Sequence, residues 1–222
     1  MVDNTSAFHS SEYDRKIRQT FPYYEDFFAQ VVELVRTVHA GPVSWLDVGC
    51  GTGMMGSAAF GKIPLDRFVF MDSSEGMIGR AKERFRFPNA EFSVRDVRDL
   101  QYENEFDVIT AIQVFHFLKA EERRTVLRQC HAALKENGIL VSFENIAPFT
   151  ETGKTVCLEK WRRFQMEQGK SREETEGHIS RYGKDYFPIT IEEHLRLLRE
   201  SGFRVVEMLW FSNTQAGFWA MK

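Results

Sequence analysis

The chain has 222 residues, 43% hydrophobic and 14% aromatic with 20 Phe, which is enough to bury a sizeable core and too apolar for a disordered chain. A net charge of −3 gives no general pull toward nucleic acid or an anionic membrane, and no apolar run is long enough to span a bilayer. Cys50, Cys130 and Cys157 are scattered and odd in number, fitting neither a disulfide framework nor a metal set, and the first residues lack a signal-peptide layout; a reduced, cytoplasmic protein without metal is expected.

In chain order, SSEYDRKIRQT and PYYEDFFAQVVELVRTVH read as two helices within residues 1–40, with Pro22 suited to a first helical turn. VSWLDVG is a buried strand closed by a glycine loop, and residues 54–62 form a short helix. DRFVFMD is a second strand, followed by the helix SSEGMIGRAKERF, which Ser73 or Ser74 can cap. AEFSVRDV and FDVITAIQVF are the third and fourth strands. The helix EERRTVLRQCHAALKENG comes next, terminated by Gly138, and ILVSFEN is the fifth strand. This alternation over residues 41–147 predicts an α/β fold with a parallel sheet and helices on both faces. Residues 150–187 break the rhythm as two charged helices, placed where a cap over a site can be built. Residues 188–222 read as a helix and a closing β-hairpin, and the whole of 1–222 as one domain.

The stretch LDVGCGTGMMG (46–56) admits two readings. Gly51, Gly53 and Gly56 with Asp72 about 20 residues on match a dinucleotide fingerprint. Asp47 followed by Gly49, Gly51 and Gly53 suits a different ligand. A pyrophosphate wants backbone N–H groups and no nearby carboxylate. S-adenosylmethionine brings no phosphate but a sulfonium, an ammonium and a carboxylate. Asp47 would repel the first ligand and help to hold the ammonium of the second, with the glycines permitting close backbone approach.

LDVGCGTGMMG, FVFMDSSEGMIGRAKERF, FSVRDV and FDVITAIQVFHFL, in that order, resemble the successive motifs of the class I S-adenosylmethionine-dependent methyltransferases over residues 40–147. The resemblance implies a Rossmann-like fold whose seven-stranded, mostly parallel sheet has an antiparallel last strand, here preceded by N-terminal helices and interrupted by the helical cap. It implies S-adenosylmethionine as cofactor, with S-adenosylhomocysteine as product. Asp72 would accept from both ribose hydroxyls, a task suited to a carboxylate. Asp96 would accept from the adenine amino group with the Val97 amide beside it, although Asp99 competes for that role. Met77 would pack on the adenine, and Ile112 and Gln113 would line the methionine end. Cys50 and Ser73 complete the cofactor set from the loop and the second strand's end.

The flanks IRQTFPYYEDF and YFPITIEEHLRLLRESGF are similar to carboxy-S-adenosylmethionine synthases of tRNA modification. That likeness makes Tyr24 and Arg181 candidates to reach the cofactor. It also sets an alternative expectation, carboxy transfer onto the cofactor, since a guanidinium can pair bidentately with a carboxylate. Arg18, in the Tyr24 segment, can also meet a carboxylate; a charged helix face is the other reading for both arginines.

Methyl transfer chiefly needs positioning and exclusion of water. His116 is the candidate general base, with an ordinary pKa of about 6.5. The other reading, a histidine packed beside the cofactor, is favoured by the apolar neighbours Phe115 and Phe117. Tyr13 can close over the site, and His178 and Tyr182 of the cap can meet the substrate. No basic patch interleaved with aromatics argues for direct nucleic-acid contact, so the expected partner is a small organic acceptor, handled by a monomer or homodimer.

Overall fold

The computed structural model describes residues 3, 4, 6 and 8–222. Helices α1 (Tyr13–Arg18) and α2 (Tyr24–Val38) precede β1 (Val43–Val48), α3 (Met54–Ala59), β2 (Leu65–Asp72), α4 (Glu75–Arg84), β3 (Ala90–Val94), β4 (Phe106–Ile112), α5 (Ala120–Ala133) and β5 (Leu134–Asn145). The inserted cap is α6 (Glu151–Glu167) and α7 (Arg172–Ile179), and α8 (Ile191–Glu200), β6 (Val205–Ser212) and β7 (Gln215–Met221) close the chain. The seven strands form one sheet in the order β3-β2-β1-β4-β5-β7-β6, with β7 antiparallel to both its neighbours. The chain winds outward one way through β1, β2 and β3 and the other way through β4 and β5. The carboxyl ends of β1 and β4 therefore flank the crevice where doubly wound sheets take their ligands.

Alternation along each strand splits the core across the two faces. Trp45, Phe68, Phe70 and Phe143 join a cluster with α2, α3 and α4, while Leu46, Val69, Met71 and Leu140 join one with α5 and α8. α2 qualifies through Tyr24, Phe27, Phe28, Val31, Val32 and Val35, a buried stripe at helical spacing. Phe27 stacks on Phe143 of β5 at 4.7 Å.

Two local expectations are corrected. Pro22 lies before α2, whose first residue Tyr24 follows a left-handed Tyr23 (φ 59°). The helix expected to run to Gly138 ends at Ala133, because Leu134 already pairs with Phe106 of β4. Asn137, at φ 63°, and Gly138 then form an irregularity inside β5.

Candidate active site

The β1 exit is built by glycines. Gly49 has φ 62° and lies so close to β4's exit that a Cβ there would come within 2.5 Å of Val114 Cγ2. Gly51, at φ 53°, turns its N–H onto Asp72 Oδ2 at 2.9 Å, and the Ser74 N–H takes the other oxygen at 2.9 Å. Ser74 also caps α4 by accepting from the Met77 N–H, which leaves Ser73 on the cleft wall. Burial pushes the Asp72 carboxyl above the usual carboxylate range, against the pull of those two backbone bonds. Each oxygen keeps a further lone pair for a ligand hydroxyl. A loop amide that a pyrophosphate would require is thus already committed to a carboxylate.

Asp47 is 2% exposed. Its Oδ1 accepts from Thr110 Oγ at 2.7 Å, and Thr110 Oγ in turn accepts from Trp45 Nε1 at 2.9 Å. Among the described residues its Oδ2 has no partner, and Asp47 lines a recess shared with Tyr13, Tyr24, Cys50 and Ile112. Burial pushes Asp47 up to about 7, with the charge of Asp72 adding to the rise and the Thr110 bond opposing it. An unpartnered buried carboxylate oxygen is costly unless a donor or cation completes it. An α-ammonium fits this recess, and a diphosphate does not.

Beside the recess lies an open cleft at the carboxyl ends of β1, β2 and β4. Its wall brings together Tyr13, Gly49, Gly51, Asp72, Ser73, Met77, Asp96, Val97, Ile112 and Gln113 from the sequence-derived set. Cys50 and Tyr24 join through the Asp47 recess. Three candidates are not brought to the cleft. Arg18 is exposed and donates to Glu25 at 2.6 Å. Gly53, at φ 86°, faces the Phe85 ring, where a Cβ would approach to 2.7 Å, so it serves packing. Tyr182 packs against Tyr186 and Lys154 in the cap. Asp96 reaches the cleft, but both its oxygens are held by Arg98, which also lowers its pKa. Arg95 and Arg98 are wall residues that sequence reasoning passed over.

A second cavity, of about 390 Å³, shares Ser6, Tyr13, Gln113 and Phe117 with the first. Phe8, Ile17 and Phe21 wall it, and His116, His178 and Arg181 reach it. His116 is 2% exposed and its Nδ1 lies 2.8 Å from Glu144 Oε2. Glu144 is fully buried and also accepts the backbone N–H groups of Phe115 and His116. With a carboxylate at Nδ1, the neutral ring carries its hydrogen there and leaves Nε2 as an acceptor. The neighbour of Nε2 is Asn145 Nδ2 at 3.5 Å, longer than a good hydrogen bond. Glu144 and Asn145 were missed in the sequence. The signal was available: an acid and an amide at the end of the mostly apolar strand ILVSFEN.

Cap and N-terminal segment close over these cavities together. Trp161 of α6 donates to the Thr20 carbonyl at 2.6 Å and stacks on Phe21. Asp14 of α1 accepts from Thr52 of the glycine loop and from Arg84 of α4.

The fold is Rossmann-like, with its candidate ligand site at the β1–β4 switch point. A model of the methyltransferase domain family matches residues 46–138. The chain is 32% identical over 189 residues to a demethylmenaquinone methyltransferase of Thermotoga maritima, covering 82% of this chain and 79% of the relative. It is 25% identical over 209 residues to a carboxy-S-adenosyl-L-methionine synthase of Helicobacter hepaticus, covering 90% and 87%. A solved S-adenosylmethionine-dependent methyltransferase from Mesorhizobium loti shares the fold at a TM-score of 0.60 and 17% identity, covering 86% of this chain and 96% of the other. The chain belongs to the class I S-adenosylmethionine-dependent methyltransferases, and S-adenosylmethionine is its cofactor.

Proposed function

We propose that residues 1–222 act as one catalytic domain that methylates a small organic molecule. Bound S-adenosylmethionine supplies a methyl carbon made electrophilic by its sulfonium. Asp47 holds the ammonium, Asp72 the ribose hydroxyls, and Val97 and Met77 flank the base. The N-terminal segment and the cap exclude water from the junction between the two cavities. His116 Nε2 would take the proton of the acceptor's O–H or N–H, while the sulfonium, once bound, would supply the activated methyl group. Glu144 positions His116 for this by fixing its tautomer and ring orientation.

The observation that carries the reading is the aromatic-walled cavity adjoining the cofactor cleft, with His116, paired to Glu144, in its wall. A compact cavity of this kind suits a small molecule better than a polymer. The free cysteines suit a reducing compartment, and we place the enzyme in the cytoplasm. Turnover of S-adenosylmethionine to S-adenosylhomocysteine with an extract-derived small-molecule fraction tests the proposal. Methyl incorporation found only in macromolecules would overturn it.

A second reading, carboxy transfer onto the cofactor, is favoured by the likeness to a carboxy-S-adenosyl-L-methionine synthase and by Arg181 reaching the acceptor cavity. Mass spectrometry of the co-purified ligand separates the two. A carboxylated cofactor supports the second reading, and the ordinary cofactor alone removes it.

A further inference from the structure

Among the described residues, three buried polar atoms without partners belong to residues lining the acceptor cavity: Gln113 Oε1, His178 Nδ1 and the Tyr186 hydroxyl. The Gln113 orientation is fixed, because its Nε2 donates to the Phe143 carbonyl at 3.2 Å, which can only accept. Gln113 is held in a left-handed backbone conformation (φ 62°) at the junction of the two cavities, the kind of strain that persists where a side chain must be aimed. The cavity therefore offers an unused acceptor, Gln113 Oε1, on a residue that shares its wall with His116.

At the other end the cavity opens past Phe8 and His178 into a groove where Lys170 and Lys16 stand. Lys170 is only 8% exposed. Its ammonium donates to Thr20 Oγ at 2.5 Å and to Gln165 Oε1 at 2.9 Å, both neutral. An ammonium has three donors; among the described residues the third has no acceptor, and no carboxylate lies within 4.0 Å. Lys16 is less needy, with Glu174 at 3.4 Å and Glu12 at 3.9 Å. Both ammoniums stand over the Phe8 ring, at 4.8 Å for Lys170 and 6.0 Å for Lys16. A buried cation held only by neutral groups is unfavourable unless an anion completes it.

We propose that the methyl acceptor is a small aromatic carboxylic acid with a protic nucleophile: its carboxylate meets Lys170, its ring lies along Phe8 and Phe21, and its nucleophile reaches Gln113 and His116. The proposal rests on the methyl-transfer reading of the same site. It names carboxylate over phosphate because one free ammonium donor and one half-compensated lysine suit a single negative charge.

Protein saturated with S-adenosylhomocysteine is titrated calorimetrically with hydroxybenzoates and aminobenzoates, the matching benzamides, and phenyl phosphate. At least one acid binds about tenfold or more tightly than its amide, as expected for a desolvated charge pair. That preference disappears in Lys170→Met and falls about threefold in Lys16→Gln, the rim variant that serves if Lys170→Met does not fold. Amides binding as well as acids, a preference that survives both variants, phenyl phosphate binding more tightly than the acids, or no acid binding at all would each overturn the proposal. Failure of S-adenosylhomocysteine itself to bind would strike the cofactor reading instead, so the two failures are told apart.

Discussion

The cofactor half and the acceptor half of this cleft are made in different ways. The cofactor half is assembled from the exits of β1, β2 and β4. Its contacts are between backbone and carboxylate, as in Gly51 N–H to Asp72 and Ser74 N–H to Asp72. The half proposed for the acceptor draws Phe8, His116, Glu144, Lys170 and His178 from five separate segments, and it relies on contacts between distant side chains, such as His116 with Glu144 and Lys170 with Thr20. Geometry dictated by a strand end and a tight turn tolerates almost any neighbouring scaffold, whereas a pocket assembled from distant side chains can be altered without disturbing the sheet.

Perturbations should divide along the same line. The largest effect is expected from Asp72→Ala, which removes the ribose acceptor and leaves the Gly51 and Ser74 amides unpaired. Affinity for S-adenosylhomocysteine drops roughly a hundredfold or more by calorimetry, on the basis that hydrogen bonds to a charged group contribute about 1.5–3 kcal/mol each. Next, Glu144→Gln in the acceptor half lowers kcat roughly a hundredfold, the low end for a misplaced general base, and shifts the pH–rate profile while cofactor affinity holds. An equal loss of cofactor binding would show the two halves to be one unit. The smallest effect is on the closure that joins them. Trp161→Phe deletes the donor to the Thr20 carbonyl and costs about 1 kcal/mol, a drop in Tm of about 2–4 °C in a thermal scan.

The same contrast explains what could be read from the sequence. The alternation of strands and helices was legible because period and turn residues are local properties, whereas the seven-stranded sheet with its antiparallel last strand followed only from the resemblance to a known family. The end of α5 was misjudged because Gly138 has the form of a helix stop, while pairing of Leu134 with Phe106 is a long-range fact. Arg18 was assigned to the cofactor from its neighbourhood in sequence, but Glu25 claims it. Lys170 and Tyr186 carried no motif, since their significance lies in contacts with residues far along the chain, such as Thr20 and His116.

The central claim is that a carboxylate at Asp47 awaits a cation, and its titration provides the direct test. Burial pushes Asp47 from 3.8 up to about 7. Protein without added cofactor should therefore lose the Asp47 contribution to stability as pH rises from about 4 through 7, and Asp47→Asn should be the more stable form above pH 7. Cofactor binding favours the ionised carboxylate and has the opposite dependence. The decisive measurement is the Kd of S-adenosylmethionine by calorimetry at pH 6 and pH 8, for wild type and Asp47→Asn, with NAD as control. Wild type should bind more tightly at pH 8. The variant should bind at least about thirtyfold more weakly at pH 8 with little pH dependence, the expected cost of removing one partner from a buried charge pair, and NAD should not bind. Equal affinity of the two proteins at pH 8, or tight NAD binding, would contradict the account.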